Sequence, residues 1–272
     1  MNTHEIKTVA AGIARDAGAL LREGYGQAKE IDAKSSAIDL VTQYDTQAEA
    51  LIVRRLREAF PQDAILGEEG HRSGSLNGSD RIWLVDPLDG TTNFAHAFPA
   101  FAISLALYEG ERPLVGVVYD PLRGECFHAA AGKGAYLTRE DGTAEKLDVS
   151  ETNDLAASLL ATGFPYDRRD SVQDNLAQFG AFLKRAQGIR RAGAAALDGA
   201  YVAAGRLDGY WEFKLGSWDI AAAVLLVLEA GGRVSAIDGS TFRLQPTQQN
   251  TLVASNGRIH AEMIGVLQSV PV

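Results

Sequence analysis

Between Thr3 and Gly24 the apolar residues Ile6, Val9, Ile13, Ala17, Leu20 and Leu21 recur at helical spacing, with His4, Glu5, Arg15 and Asp16 set between them. That period predicts an amphipathic helix over 3–24, stopped near Gly24 and Gly26. A second helical pattern runs from about Thr46 to Phe60, with Ala48, Leu51, Ile52 and Leu56 on one face and Pro61 just past its end. Two short apolar runs follow, 64–67 and 82–85, each bounded by turn residues and expected as buried strands. Acids come directly after both: Glu68 and Glu69 after the first, Asp86 after the second. Acids placed where buried strands end predict a site at the edge of a sheet.

Residues 102–108 alternate large and small side chains, 114–119 are β-rich, and 110–113 read as the hairpin connection between them. Segments 126–130 and 134–138 extend the same sheet. From about Asp141 a polar linker leads to Asp154. A strand at 159–162, helices near 172–187 and 195–205, and a strand at 207–213 come next, then a helix at 217–230 and a strand and helix within 251–268. This order predicts an α/β (α+β) chain of two αβ lobes, 1–145 and 146–272, rather than a doubly wound parallel sheet. The first lobe carries most of the candidate chemistry and the second completes it.

Charge and cysteine content narrow the class of protein. With 26 basic against 35 acidic residues, the net charge of −9 argues against nucleic acid, which needs clustered Lys and Arg to displace counterions. It leaves a phosphorylated small molecule open, because divalent cations can sit between like charges. The single Cys126 cannot form an internal disulfide, and the N-terminal segment lacks the apolar block of a signal peptide. The longest later apolar stretch, 220–228, is far shorter than the ~20 residues of a membrane span. The expectation is a cytoplasmic protein without membrane contact.

The most informative stretch is Trp83-Leu-Val-Asp86-Pro87-Leu88-Asp89-Gly90-Thr91-Thr92-Asn93. Here the strand is expected to end at Asp86, Pro87 to fix a turn, Gly90 to let the backbone bend, and Thr91 to open a short helix whose free N–H groups suit a phosphate. Taken alone, this segment reads equally well as a strand, a β-turn and a helix cap. Asp45 before the second helix, Glu68 at a strand end and Asp219 at a helix start each have an equally plain structural explanation. Their combination does not. If Glu68, Asp86, Asp89 and Asp219 converge, each pair at ~4 Å repels by about 4 kcal/mol at an effective dielectric of ~20. Such a cluster requires cations, and oxygen donors select Mg²⁺ over zinc. Four carboxylates balance two divalent ions and leave a site able to accept a phosphate dianion, the arrangement for metal-assisted phosphate-ester hydrolysis.

The ordered set Asp45, Gly67-Glu68-Glu69, Asp86-Pro-Leu-Asp89-Gly-Thr-Thr and Trp218-Asp219-Ile-Ala-Ala resembles the inositol monophosphatase family, and most of all its bacterial branch. The likeness extends to Ala161-Thr-Gly-Phe-Pro-Tyr166, Arg190-Arg-Ala-Gly193-Ala-Ala-Ala196 and Glu229-Ala-Gly-Gly232, and so covers essentially the whole chain. The resemblance implies an α-β-α-β-α layered sandwich, dependence on two or three Mg²⁺ per site, inhibition by lithium and a homodimer. It implies that Glu68, Asp86 and the carbonyl of Leu88 hold one metal, and that Asp86, Asp89 and Asp219 hold another. Thr91 and Glu68 would orient a water that attacks phosphorus directly, with Asp45 supporting them. The amides of Gly90 and Thr91 would hold phosphate, while Glu212 and the backbone of Gly193, Ala194 and Ala195 would meet sugar or cyclitol hydroxyls. One departure stands out: Ala194 replaces the Thr or Ser that many members carry beside the substrate.

Other readings fare worse. Pro87 occupies the position where haloacid-dehalogenase-type phosphatases need a nucleophilic Asp, and Gly132-Lys133-Gly134 lacks the remainder of a P-loop. His4, His71, His96, His128 and His260 show no metal-ligand spacing, and Arg168-Arg169 and Arg190-Arg191 read as solvated or ion-paired. Within the family, inositol monophosphate competes with fructose 1,6-bisphosphate, histidinol phosphate, NADP and 3′-phosphoadenosine nucleotides. Glu212 favours a polyol because a carboxylate accepts hydrogen bonds from hydroxyls. A partner-binding role, for instance with transcription machinery, stays open beside catalysis.

Overall fold

A computed structural model describes residues 1–27, 31–34, 39–74 and 81–270. Helix α1 (Thr3–Gly24) is followed by β1 (Ile31–Ala33), β2 (Leu40–Thr42), α2 (Gln43–Ala59), β3 (Ala64–Gly67) and β4 (Arg72–Ser73). Then come β5 (Arg81–Asp89), α3 (Thr91–Ala95), β6 (Ala102–Glu109), β7 (Arg112–Asp120), β8 (Glu125–Ala130), β9 (Ala135–Arg139) and β10 (Ala144–Lys146). The second half supplies β11 (Leu159–Thr162), α4 (Leu176–Leu183), β12 (Gly188–Arg190), α5 (Ala195–Ala203) and β13 (Gly209–Leu215). It ends with α6 (Ser217–Glu229), β14 (Arg233–Ser235), β15 (Asn250–Ser255) and α7 (His260–Gln268).

Eight strands form one sheet in the order β10-β9-β8-β7-β6-β5-β3-β4, antiparallel throughout except where β3 runs parallel to β5. Five form a mixed sheet in the order β12-β11-β13-β15-β14. Period-two alternation decides what each face of the larger sheet packs on. Trp83, Val85, Leu105 and Leu107 share a core with Ile6, Ile13, Leu21 and Ile52 of α1 and α2. Leu84, Ala106 and Tyr108 share another with α5 and α6. Helix α6 reads SWDIAAAVLLVLE, apolar on every face along its middle from Ile220 to Val227, because there it lies between the two sheets; its last turn, at Leu228, reaches solvent. Helices α4 and α7 cover the far side of the smaller sheet around Phe182, Trp211 and Met263. The layers are therefore α-β-α-β-α, as the sequence led us to expect. Small residues set the inner spacing: a Cβ on Gly199 would lie 2.5 Å from that of Ala223, and one on Gly116 would lie 2.7 Å from the Ala222 carbonyl oxygen.

Several boundaries differ from the sequence expectation, each for a local reason. Helix α2 starts at Gln43 rather than Thr46 because Thr42 caps it, accepting from the Tyr44 N–H while Asp45 accepts from the Thr42 N–H. The polar linker contains β10, which pairs with β9. The helix expected over 172–187 is confined to Leu176–Leu183. Strand β5 does not end at Asp86 but continues to Asp89, because β6 goes on pairing with it. No helix among the described residues is long and apolar enough to cross a membrane.

Candidate active site

Strand β5 delivers two acids to one place by means of a bulge. Asp86 pairs with Ser104 and Asp89 with Ala102, so three steps on β5 match two on β6. Residues three apart in a regular strand face opposite sides; one extra residue restores them to the same side. The packing agrees, since Leu84 joins the α5–α6 core while Leu88 joins the α1–α2 core. Pro87, with no N–H to lose, occupies the irregularity.

Glu68 follows the end of β3, and Asp219 sits in the first turn of α6, where it accepts from the Gly216 N–H at 2.7 Å. One carboxylate oxygen each from Glu68, Asp86 and Asp219 falls within 4.8 Å of the others. Burial pushes the Asp86 carboxyl well above the ordinary range, and the charges of Glu68, Asp89 and Asp219 push it further. Asp219 is raised for the same reasons, burial first and then Glu68 and Asp89.

Asp89, expected among the same ligands, stands outside this trio. Its two oxygens accept the N–H groups of Ala195 (3.1 Å) and Ala196 (2.8 Å), the first residues of α5. Burial raises it to about 7, against the pull of the Ala196 bond. Asp89 therefore joins the large sheet to α5, with a second lone pair on each oxygen still unused.

Thr91 opens α3 behind Gly90, whose φ of +91° is left-handed. A Cβ on Gly90 would lie 2.8 Å from the Ala100 carbonyl and 3.2 Å from that of Gly193. The Thr91 hydroxyl donates to Asp45 Oδ1 at 2.8 Å and lies 3.1 Å from the Leu88 carbonyl. Asp45 Oδ2 in turn accepts from the N–H (2.8 Å) and hydroxyl (2.6 Å) of Thr42. Thr91 and Asp45 are thus joined directly, across 46 positions of sequence.

Glu212 lies on β13 and accepts from the Tyr210 hydroxyl at 2.7 Å. Burial lifts its carboxyl to about 7, with Tyr210 and Arg191 pulling the other way. A Cβ on Gly163 would sit 1.9 Å from Glu212 Oε1, so glycine there makes room for the carboxylate. Gly193 has φ +80°, and the buried Ala194 precedes α5 with no side-chain cap.

Four residues near the site escaped the sequence reading. Lys34 Nζ lies 2.8 Å from Glu68 Oε1 and also bonds Glu69 Oε1. Burial lowers the Lys34 ammonium, but Glu68 and then Glu69 outweigh it and raise it overall. Glu49, from α2, accepts the N–H of Glu69 (2.9 Å) and of His71 (3.2 Å) and so holds the turn that carries Glu68. The Asn93 amide donates to the carbonyls of Ala100 (2.6 Å) and Ala192 (2.8 Å), fixing the loop before α5. Asp198, buried on α5, is raised by burial and then by the charges of Glu212 and Asp89. Only Asn93 left a signal, as the last residue of the stretch already singled out.

The trio is all carboxylate oxygen, with no nitrogen or sulfur donor, which suits a hard divalent cation such as Mg²⁺. Burial first, and neighbouring carboxylates after it, raise Asp86, Asp89 and Asp219, and a bound cation would offset both. With Thr91 and Asp45 beside it, the arrangement can hold cations, an anion between them and an oriented water.

Comparison with known proteins agrees with this geometry. Residues 2–271 match the model of the inositol monophosphatase family. Inositol-1-monophosphatase of Synechocystis sp. is 44% identical over 255 residues, 94% of this chain and 86% of its own. The Nus factor SuhB of Pseudomonas aeruginosa is 43% identical over 264 residues, 96% and 94% of the two chains. The solved structure of inositol monophosphatase from Anabaena (Nostoc) sp. superposes with a TM-score of 0.87 at 40% identity, covering 100% of this chain and 98% of the other. Fold, site and likeness along the whole chain lead to one conclusion: this chain belongs to the inositol monophosphatase family and is a phosphatase.

Proposed function

We propose that the site hydrolyses an inositol monophosphate to inositol and phosphate with the help of Mg²⁺. The observation that carries this reading is the convergence of Glu68, Asp86 and Asp219 within 4.8 Å, beside the directly bonded pair Thr91 and Asp45. Glu68, Asp86 and the Leu88 carbonyl are the residues to hold one cation, and Asp86, Asp89 and Asp219 those to hold a second; a third remains compatible with the family. When bound, such cations supply Lewis acidity at the phosphoryl oxygens and neutralise the charge that develops as the ester breaks.

The remaining chemistry is assigned to the chain's own groups. Thr91 donates its hydroxyl hydrogen to Asp45, which leaves its oxygen lone pairs free to accept a hydrogen bond from water. The Glu68 carboxylate accepts the other proton of that water, so the water's oxygen is aimed at phosphorus rather than at protein. Water attacks phosphorus as the ester P–O bond breaks; Glu68 takes one proton of the water and the departing inositol oxygen takes a proton from solvent, so inositol and phosphate leave with no covalent enzyme intermediate. The Gly90 and Thr91 amides hold phosphate oxygens. Glu212, kept in place by Tyr210, accepts from ring hydroxyls together with the backbone of Gly193, Ala194 and Ala195. Ala194 offers no hydroxyl, so substrate choice leans more heavily on Glu212.

The test is a phosphate-release panel over inositol 1-phosphate, fructose 1,6-bisphosphate, histidinol phosphate, NADP and 3′-phosphoadenosine nucleotides, each with Mg²⁺ and with added lithium. Inositol 1-phosphate ranks first and Glu212→Gln reorders the panel; a nucleotide or bisphosphate in first place replaces the substrate assignment. The same reading includes a cytoplasmic homodimer of two-lobed subunits, on the strength of the resemblance alone. A further partner-binding role is favoured by one observation, the 43% identity to a relative named a Nus factor.

A further inference from the structure

We propose that this protein has a second anion site, separate from the carboxylate site, where α1 crosses the end of the large sheet, and that it takes a small phosphorylated molecule. A cavity of about 560 Å³ opens there, lined by Arg15, Arg22, Tyr119, Thr138, Arg139 and Glu140. Arg15 and Arg22 are seven residues apart on α1, two turns and ~10 Å along the same face. Arg139 closes the site from β9. Tyr119 points to the α1 side of the large sheet, the face opposite to the one from which Asp86 and Asp89 project.

The three guanidinium groups are not equally provided for. Arg22 bonds the Tyr119 hydroxyl at 3.0 Å and the Glu140 carboxylate, and Arg139 bonds Glu145 at 2.8 Å. Arg15 is half-buried, yet makes no hydrogen bond or ion pair among the described residues. Its neighbour Asp16 is turned away to Arg55 at 2.6 Å. Its nitrogens are not buried, so the guanidinium faces solvent with no acceptor from the protein and is free to bond one brought by a ligand. In a chain of net charge −9, leaving an arginine unmatched beside two others suits an acceptor brought from outside.

Glu140 is the sole carboxylate among the lining residues, and about half of its side chain is in solvent. It can swing outward and give Arg22 to a ligand. Two hydroxyls remain in the wall: Tyr119, which donates to Glu140 at 3.1 Å, and Thr138, held from behind by His128 Nε2 at 2.8 Å. Guanidinium forks pair with carboxylate and phosphate alike, but three of them with two hydroxyls offer more donors than one carboxylate can accept, which favours the three or four oxygens of a phosphate group. The volume falls within the ~300–1,000 Å³ typical of small-molecule sites.

The test uses the full chain in EDTA, so that no divalent cation is available at the carboxylate site to draw in the probe. Inorganic pyrophosphate is titrated by calorimetry at about 150 mM chloride, where unspecific surface attraction is screened. The expected result is one saturable site per chain, weakened about tenfold or more in Arg15→Gln, partly restored in Arg15→Lys and unchanged in Asp86→Asn. Arg139→Gln repeats the measurement independently should Arg15→Gln fail to fold. Absence of saturable binding, or equal affinity in the arginine variants, overturns the proposal without touching the assignment of the carboxylate site.

Discussion

A site made of buried carboxylates must cost the metal-free protein stability as they ionise, through desolvation first and repulsion second, and Asp89 allows the cost to be worked out. Its carboxyl is buried and raised from 3.8 to about 7. A carboxyl raised in the folded state favours folding while protonated, so its contribution is complete below the unfolded pKa near 4 and disappears as pH rises through 7. Between about pH 5.5 and 7.5 that loss amounts to about 2 kcal/mol, shared between Asp89 and the carboxyls that titrate with it. Two buried histidines act in the opposite sense over the same range: His128 and His260 are lowered to about 4 by burial, so their contribution grows as pH rises. The informative quantity is therefore a difference between proteins. Urea unfolding in EDTA at the two pH values should show wild type losing about 2 kcal/mol more than Asp89→Asn. Any pH-independent penalty of the variant, which leaves one α5 N–H without its acceptor, cancels in that comparison. Added Mg²⁺ at about a hundred times its Kd should return about 2.7 kcal/mol to wild type, more fully at the higher pH because protons compete for the same oxygens. Parallel pH profiles for the two proteins would refute the reasoning.

Thr91→Val removes the donor to Asp45 Oδ1; turnover should fall by about a hundredfold and stability by about 1–3 kcal/mol, with Thr91→Ser restoring most of both. Steady-state kinetics and urea melts decide it, and unchanged turnover takes Thr91 out of the reaction. Gly163→Ala places a methyl against Glu212 and should raise KM for the polyol substrate while largely sparing kcat, at about 1–3 kcal/mol of stability. An unchanged KM would show that Glu212 does not meet substrate. Glu49→Gln leaves one of the Glu69 and His71 N–H groups facing an amide NH₂, and should loosen the turn under Glu68 at about 1–3 kcal/mol. The Mg²⁺ concentration for half-maximal rate should rise; if it stays put, the turn does not set the position of Glu68.

Helices and strands with clean periods were legible, since a repeating face is decided by the residues themselves: α1, β3, β6 and α6 lie close to where the pattern puts them. The acids at strand ends were legible too, because little else explains several carboxylates beside apolar runs. What the pattern could not convey was direction. Asp86 and Asp89 are three apart, and only the register with β6 discloses the bulge that turns both to one side. Asp89 was expected as a ligand, and the pattern gave no hint that its oxygens also accept from the first turn of α5, a contact between residues more than a hundred positions apart. Lys34 lies between short pieces of strand with no apolar period, so nothing local foretold its bond to Glu68. Glu49 looked like one more polar position of α2 until the turn at Gly67 closed over it.

The activity proposed for this carboxylate site is cation-assisted hydrolysis of an inositol monophosphate. The most direct measurement is the initial rate of phosphate release from inositol 1-phosphate by the purified chain, in Mg²⁺ and in EDTA, with Asp86→Asn alongside. Turnover is expected in Mg²⁺, none above background in EDTA, and a loss of about a hundredfold or more in the variant. Equal rates in Mg²⁺ and EDTA, or full activity without the Asp86 carboxylate, would contradict it.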